Sequence, residues 1–116
     1  MIAPQVEHLL SSCPFLVAHL DTRDFDLSTV VFGAVATALM RHGLLPEEEE
    51  RVFEYFNALA QNGEPDDLVV LGTGAIELFN DDAAPQRLAR CKLTGAALQM
   101  SEDFRVSWGQ PDYGAA

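Results

Sequence analysis

Basic side chains are scarce in this chain: Lys and Arg together number 7 against 18 Asp and Glu, for a formal net charge of -11. A surface of that sign repels nucleic-acid phosphates and anionic lipid headgroups, and it attracts basic proteins with fast, salt-sensitive association. Neither nucleic acid nor membrane is therefore an expected partner, although acidic charge also serves plain solubility. Long apolar runs are missing too, since none approaches the roughly 18 to 20 residues of a membrane span. The opening MIAPQVEHLL carries no basic segment ahead of an apolar core and no small-residue cleavage site, so a cytoplasmic location is the expectation. Cysteine is limited to Cys13 and Cys91, whose spacing suggests neither a disulfide framework nor a metal knuckle; both are expected as reduced, mostly buried small hydrophobes. His8, His19 and His42 do not recur at helical spacing, and no carboxylate arrangement completes a ligand set with them. Ser11, Ser12, Ser28 and Ser107 lie in no nucleophile-elbow context, and a pairing of Cys91 with a histidine is weaker than a structural thiol. No catalytic residue, metal or cofactor is expected.

What is present is helical periodicity. The length of 116 residues fits one domain. The chain is organised around Pro46 to Asp82, which reads as two helices joined by a tight turn. Val52, Phe53, Phe56, Leu59 and Ala60 recur at the spacing that buries one helical face. Pro46 suits a first helical position, and Glu47 to Glu50 place negative charge at the positive end of the dipole. Asn62-Gly63 predicts a left-handed cap, and Pro65 with Asp66 and Asp67 restarts a helix. The second helix buries Leu68, Leu71, Gly72, Ala75, Ile76 and Phe79, while Val69, Val70 and Leu78 extend its apolar surface most of the way round; such a helix belongs mid-domain.

Ahead of this hairpin, Val6, Leu9 and Leu10 predict a short helix over Ala3 to Ser12 that Cys13-Pro14 interrupts. Phe15, Leu16, Val17 and Leu20 follow as a second short helix or an irregular packed segment. Leu27, Val30, Val31, Ala34, Val35, Ala38 and Leu39 give the clearest amphipathic pattern, with Asp26 as its expected N-cap and Arg41, His42 and Gly43 closing it. Behind the hairpin, Asp82 and Pro85 open a helix carrying Leu88 and Cys91, on which Arg87, Arg90 and Lys92 form the basic cluster, expected to pair with the acidic body of the same protein. Thr94-Gly95 breaks that helix. Ala96 to Phe104 supplies a last turn or two, and Arg105 to Trp108 is expected as an irregular strap with Trp108 packed as an anchor. The expected architecture is an all-α, single-domain bundle of about five or six helices over residues 1–108, with a flexible tail over 109–116.

Two features of the central stretch invite a functional reading. LVVLGTGAIELF resembles a strand entering a glycine-rich turn, but Glu77 occupies the third position that a dinucleotide fingerprint reserves for glycine, and no second βαβ unit has room. Gly72 and Gly74 are better explained by close approach of a neighbouring helix. Glu77 itself either faces water or forms, with Asp81 and Asp82, an acidic edge that receives a basic side chain from a partner.

The segments Val52-Phe53-Glu54-Tyr55-Phe56-Asn57-Ala58-Leu59-Ala60, Asp67-Leu68-Val69-Val70-Leu71-Gly72 and Ile76-Glu77-Leu78-Phe79-Asn80-Asp81-Asp82 resemble a group of small acidic helical bacterial proteins similar to immunity proteins of polymorphic-toxin, contact-dependent and type VI secretion systems. The resemblance covers roughly Phe32 to Leu98, and Gly72 and Gly74 depart from it. It implies a helical bundle without catalysis that binds a cognate toxin or effector domain and occludes a basic active-site surface. On that basis the partner-binding residues are expected among Asp66, Asp67, Glu77, Asp81 and Asp82, then Glu47 and Glu50 with their neighbours Glu48 and Glu49. An acidic secretion chaperone or adaptor for an effector is the alternative. A small enzyme, dependent on Cys91 or Glu77, ranks below both.

Overall fold

In a computed structural model, which describes residues 1–114, the chain forms six α-helices: α1 (Pro4–Ser12), α2 (Ser28–Met40), α3 (Pro46–Asn62), α4 (Pro65–Gly74), α5 (Ala83–Lys92) and α6 (Gly95–Ser107). Three 3-10 turns, Pro14–His19, Thr22–Asp24 and Ile76–Asp81, fill the connections. No strand occurs among the described residues, and the fold is the all-α bundle that the periodicity predicts.

The core is aromatic where α2, α3 and the Ile76–Asp81 turn converge. Phe32 and Phe56 lie nearly parallel with centroids 6.2 Å apart, Phe53 meets Phe56 edge-on at 6.4 Å, and Phe53 meets Phe79 at 6.0 Å. All four rings are fully buried, in the offset and edge-on arrangements that ring quadrupoles favour. The predicted face of α3, Val52, Phe53, Phe56, Leu59 and Ala60, is the buried one, joined by Tyr55. Pro46 stands in the first turn of α3, where the Leu45 N–H donates to Glu48 Oε1 at 3.0 Å and so satisfies one end group.

Gly33 and Gly74 let α2 and α4 approach closely. A Cβ on Gly74 would lie 2.9 Å from Phe32 Cβ and 3.2 Å from the Thr29 carbonyl oxygen, and one on Gly33 would lie 3.2 Å from the Gly74 carbonyl oxygen. This contact ends α4. Helical conformation stops at Ala75 (φ -123, ψ -59), and Ile76–Asp81 tightens into 3-10 geometry. The single helix expected through Phe79 is thus two pieces, although the predicted apolar positions Leu71, Gly72, Ala75, Ile76 and Phe79 are buried as a set.

Other expectations are corrected. Gly63 is extended (φ -72, ψ 156) rather than left-handed; glycine is needed because a Cβ would lie 2.7 Å from the Leu59 carbonyl oxygen. The left-handed residue closing α2 is His42 (φ 53), with Gly43 N–H donating to the Ala38 carbonyl at 2.9 Å. Leu27, not Asp26, flanks the start of α2, and no side chain caps it. The buried face of α2 is Val31, Phe32, Val35, Ala36 and Leu39, leaving Leu27, Val30 and Ala34 exposed. A helix apolar on every side carries no periodic instruction about which side turns inward, so the Gly74 contact decides it. On α5 the buried residues are Gln86 and Ala89, and Cys91 is exposed.

The C-terminal third departs most from expectation. Helix α6 runs unbroken to Ser107, so Arg105 to Ser107 are helical, and Trp108 is 67% exposed rather than packed. Residues 110–113 turn back along α5, whose buried Gln86 donates to the Pro111 carbonyl at 2.9 Å and accepts from the Tyr113 N–H at 2.7 Å. The part of the expected flexible tail within the described residues is therefore fastened; Ala115 and Ala116 lie outside them. Gln86 also donates to Asn80 Oδ1 at 3.1 Å, and Asn80 donates to the Ser101 carbonyl at 2.9 Å, which gives three elements one buried polar network.

Candidate functional site

Among the described residues, every basic side chain but that of Arg41 is engaged internally. Arg90 pairs with Glu102 and Asp112, Arg105 with Glu102, Lys92 with Glu50, Arg51 with Glu54, and Arg23 with Asp21. Arg87 donates to the Tyr113 carbonyl. Of the cluster on α5, Arg90 and Lys92 turn to the protein's own carboxylates, as expected, while Arg87 meets a backbone carbonyl. Arg105 and Arg90 together hold the Glu102 carboxyl below the usual carboxylate range, and Arg90 does the same to Asp112.

Among the described residues, no basic side chain pairs with Asp66, Asp67, Glu77, Asp81, Asp82 or Glu47. Several have local duties. Asp67 accepts from the Glu64 N–H at 3.0 Å, which caps α4, and from Gln5 Nε2 at 3.3 Å. Asp82 accepts from the Ala83 N–H at 2.8 Å at the start of α5. Glu49 lies 3.6 Å from His42, and Glu50, committed to Lys92, leaves the set of free carboxylates. The predicted residues are spread over several elements: Glu47 and Glu50 lie at the N-terminal end of α3, Asp66 and Asp67 in the first turn of α4, Glu77 and Asp81 in the 3-10 turn after it, and Asp82 at the start of α5.

Glu77 and Asp81 are the pair that the structure brings to a concave surface. With Leu78, Trp108 and Gln110 they line a groove of about 360 Å³. Asp81 Oδ1 accepts from Gln110 Nε2 at 3.1 Å, which fixes its orientation. The backbone that carries the indole is ordered: Trp108 N–H donates to the Phe104 carbonyl at 2.9 Å, Gly109 adopts φ 65, and Gln110 N–H donates to the Arg105 carbonyl at 2.9 Å. Trp108, expected only as a packed anchor, and Gln110 are absent from the expected partner-binding residues. The available signal was negative: no glycine or proline stands between Gly95 and Gly109 to stop α6 short of Trp108.

Two other concavities frame the choice. A shallow, mainly apolar groove of about 480 Å³ lies between Ala60 and the Met100 and Phe104 side of α6, with no charged pair converging on it. A cleft of about 370 Å³ holds His8, Tyr55, Asn62, Glu64 and Asp67, with His8 Nδ1 2.7 Å from Tyr55 Oη. Burial pushes the Tyr55 phenol well above its ordinary value, so it remains a hydroxyl and serves as a hydrogen-bonding wall. Cys13 is buried, with burial raising its thiol, and exposed Cys91 lies on the other side of the helix from its buried residues. No group of three or more His, Cys, Asp or Glu among the described residues is placed to hold a metal ion. No described helix is long and apolar enough to cross a membrane.

Fold and groove together define an all-α bundle whose negative charge is left uncompensated around an exposed indole. Compared with family models, curated proteins and solved structures, the chain finds no match.

Proposed function

We propose that this protein is an immunity protein, a non-catalytic inhibitor that binds a cognate bacterial toxin or effector domain and occludes its basic active-site surface. The observation that supports the reading best is the groove at Glu77 and Asp81, where two carboxylates without a basic partner stand beside a largely exposed tryptophan. Interface hot spots are enriched in tryptophan set among groups that exclude water, and acidic patches speed association with basic partners. A toxin that grips nucleotide, phosphate or nucleic acid presents the complementary positive surface. A cytoplasmic site of action fits this role.

The test is co-purification of the tagged chain from its native cell, followed by identification of whatever stays bound and an assay of that partner's activity. An immunity protein abolishes the activity of the folded, purified partner at a one-to-one ratio, and the complex loosens as salt screens the acidic surface. A partner whose solubility or export changes while its activity persists would instead mark the chain as a secretion adaptor.

A further inference from the structure

We infer that the groove formed by Glu77, Leu78, Asp81, Trp108 and Gln110 is an arginine-recognition site, built to receive one guanidinium from a basic segment of a protein partner. The inference rests on the immunity reading only for the partner's biological identity; the recognition chemistry stands on the groove itself.

Asp81 has one oxygen engaged by Gln110 Nε2 and the other free, and Glu77 makes no hydrogen bond to another side chain among the described residues. An anion would be repelled there. An apolar side chain pressed into the groove would strip water from two carboxylates and return no hydrogen bond, a cost that disfavours it. A cation meets both needs, and the walls distinguish which one. A guanidinium is planar, weakly hydrated and forked, so it can address carboxylates at its edge while its face lies on an indole; a lysine ammonium is a compact, strongly hydrated point charge that cannot do both. The guanidinium of Arg105, on the last turn of α6 before Trp108, is already taken by Glu102 and by the Gln110 carbonyl, so it does not fill the role from within. Because Trp108, Gly109 and Gln110 are tied to the end of α6 by backbone hydrogen bonds, the backbone that presents the indole is set before a partner arrives, which lowers the ordering cost of binding.

Trp108 is the chain's single tryptophan, so its fluorescence reports the groove directly. The full chain is titrated with hexa-arginine amide and, separately, with hexa-lysine amide. Hexa-arginine should give a saturable fluorescence change with affinity at least about fivefold tighter than hexa-lysine. The double variant Glu77→Gln/Asp81→Asn should weaken hexa-arginine at least about tenfold, while Glu7→Gln/Asp26→Asn, which removes the same charge at exposed positions elsewhere, should stay within about twofold of wild type. Glu77→Gln alone, which spares the Asp81 contact to Gln110, should lose at least about threefold, with far-ultraviolet circular dichroism confirming an unchanged fold. Trp108→Ala, followed by calorimetry, should lose more affinity than Trp108→Phe. Equal weakening by the two charge-matched doubles, or equal affinity for the two peptides, would mean that only net charge is sensed and would overturn the site. If a toxin is captured and inhibited equally well by wild type and by Glu77→Gln/Asp81→Asn, the groove assignment falls and the immunity reading stands. If hexa-arginine passes these tests while the wild type inhibits no partner, the immunity reading falls and the arginine site stands.

Discussion

The two sides of this bundle are held together by different kinds of contact. Around α2, α3 and the 3-10 turn, four phenylalanines and their aliphatic neighbours pack without a polar atom needing a partner. Around α5, α6 and residues 110–113, cohesion comes from Gln86, Asn80 and Ser101 inside and from Arg90, Glu102 and Asp112 nearer the surface. The apolar side gains stability in proportion to the area it buries, so damage there is graded by volume. The polar side gains less on forming and loses more when one member is removed, because the partners left behind are buried without hydrogen bonds. The first kind of cohesion suits a foundation. The second suits a structure that must fix a particular geometry, here the turn that presents Trp108.

The largest effect expected from this contrast is at Phe56, which touches both Phe32 and Phe53. Phe56→Ala should cost about 3 to 5 kcal/mol of unfolding free energy, a large part of a total of about 5 to 15 for a domain. Urea denaturation followed by circular dichroism measures it. A loss below about 2 kcal/mol would mean that the aromatic cluster relaxes into the space and is not the foundation of the fold. Gln86→Ala comes next. It leaves Asn80 Oδ1 and the Tyr113 N–H without their partners, at about 1 to 3 kcal/mol for each group that cannot reach water. Because Tyr113 lies nearer the surface than Asn80, a total of about 2 to 3 kcal/mol is expected. Hydrogen exchange at the Tyr113 amide should accelerate in this variant and not in Phe56→Ala at equal global stability, which separates the latch from the core.

The same contrast explains what the amino-acid sequence makes legible. Apolar spacing leads directly to the buried face of α3, because Val52, Phe53, Phe56, Leu59 and Ala60 share one side while the polar Arg51, Glu54 and Gln61 lie exposed on the other. Where a helix is apolar all round, as in α2, the pattern leaves its orientation open, and the choice falls to a close backbone contact with Gly74 that no periodicity encodes. Polar latches are less legible still. Gln86 and Asn80 look like surface residues until the chain folds, since their value depends chiefly on partners 21 to 27 residues away. The groove inherits both difficulties. Glu77 and Asp81 stand out as carboxylates ending an apolar run, but Trp108 and Gln110 reach them only through the full length of α6 and the turn that follows it.

Two glycines on one helix sharpen the comparison at smaller magnitude. A methyl at Gly74 would press on Phe32 Cβ and the Thr29 backbone, which cannot move independently; overpacking of about 1 to 3 kcal/mol should outweigh the helix-propensity gain of about 1 and leave Gly74→Ala destabilised by about 1 kcal/mol. A methyl at Gly72 would instead lie 3.0 Å from the edge of the Phe104 ring, the far end of a side chain that is only half-buried and can turn aside. Gly72→Ala should therefore fall within about 0.5 kcal/mol of neutral or on the stabilising side. Thermal melts of the two variants side by side decide it. Equal destabilisation would show α4 to be as tightly seated on α6 as on α2.

A comparably small effect, and the one that separates the two kinds of cohesion by chemistry, lies at Glu102. Its carboxylate accepts from Arg105 at 2.8 Å and from Arg90 at 2.7 and 3.0 Å, and these bonds hold it below the ordinary glutamate value. A carboxyl whose folded value is depressed binds protons less readily folded than unfolded. The stability it contributes is therefore fully present above the unfolded value of about 4.3 and is lost as pH falls through the folded one. All three side chains are partly exposed, so the contribution near neutrality should be no more than about 1 kcal/mol. Lowering pH also discharges the whole acidic surface, which relieves self-repulsion and shifts every variant together; the informative quantity is the difference between wild type and Glu102→Gln. That difference should hold from neutrality to about pH 5 and shrink toward zero as acid protonates the wild-type carboxylate. The penalty of Phe56→Ala, which removes no titrating group, should stay level over the same range. A Glu102→Gln difference that persisted unchanged to about pH 3 would mean that the residue acts through its shape and packing, and the α5–α6 side would then be held by the same kind of force as the aromatic core.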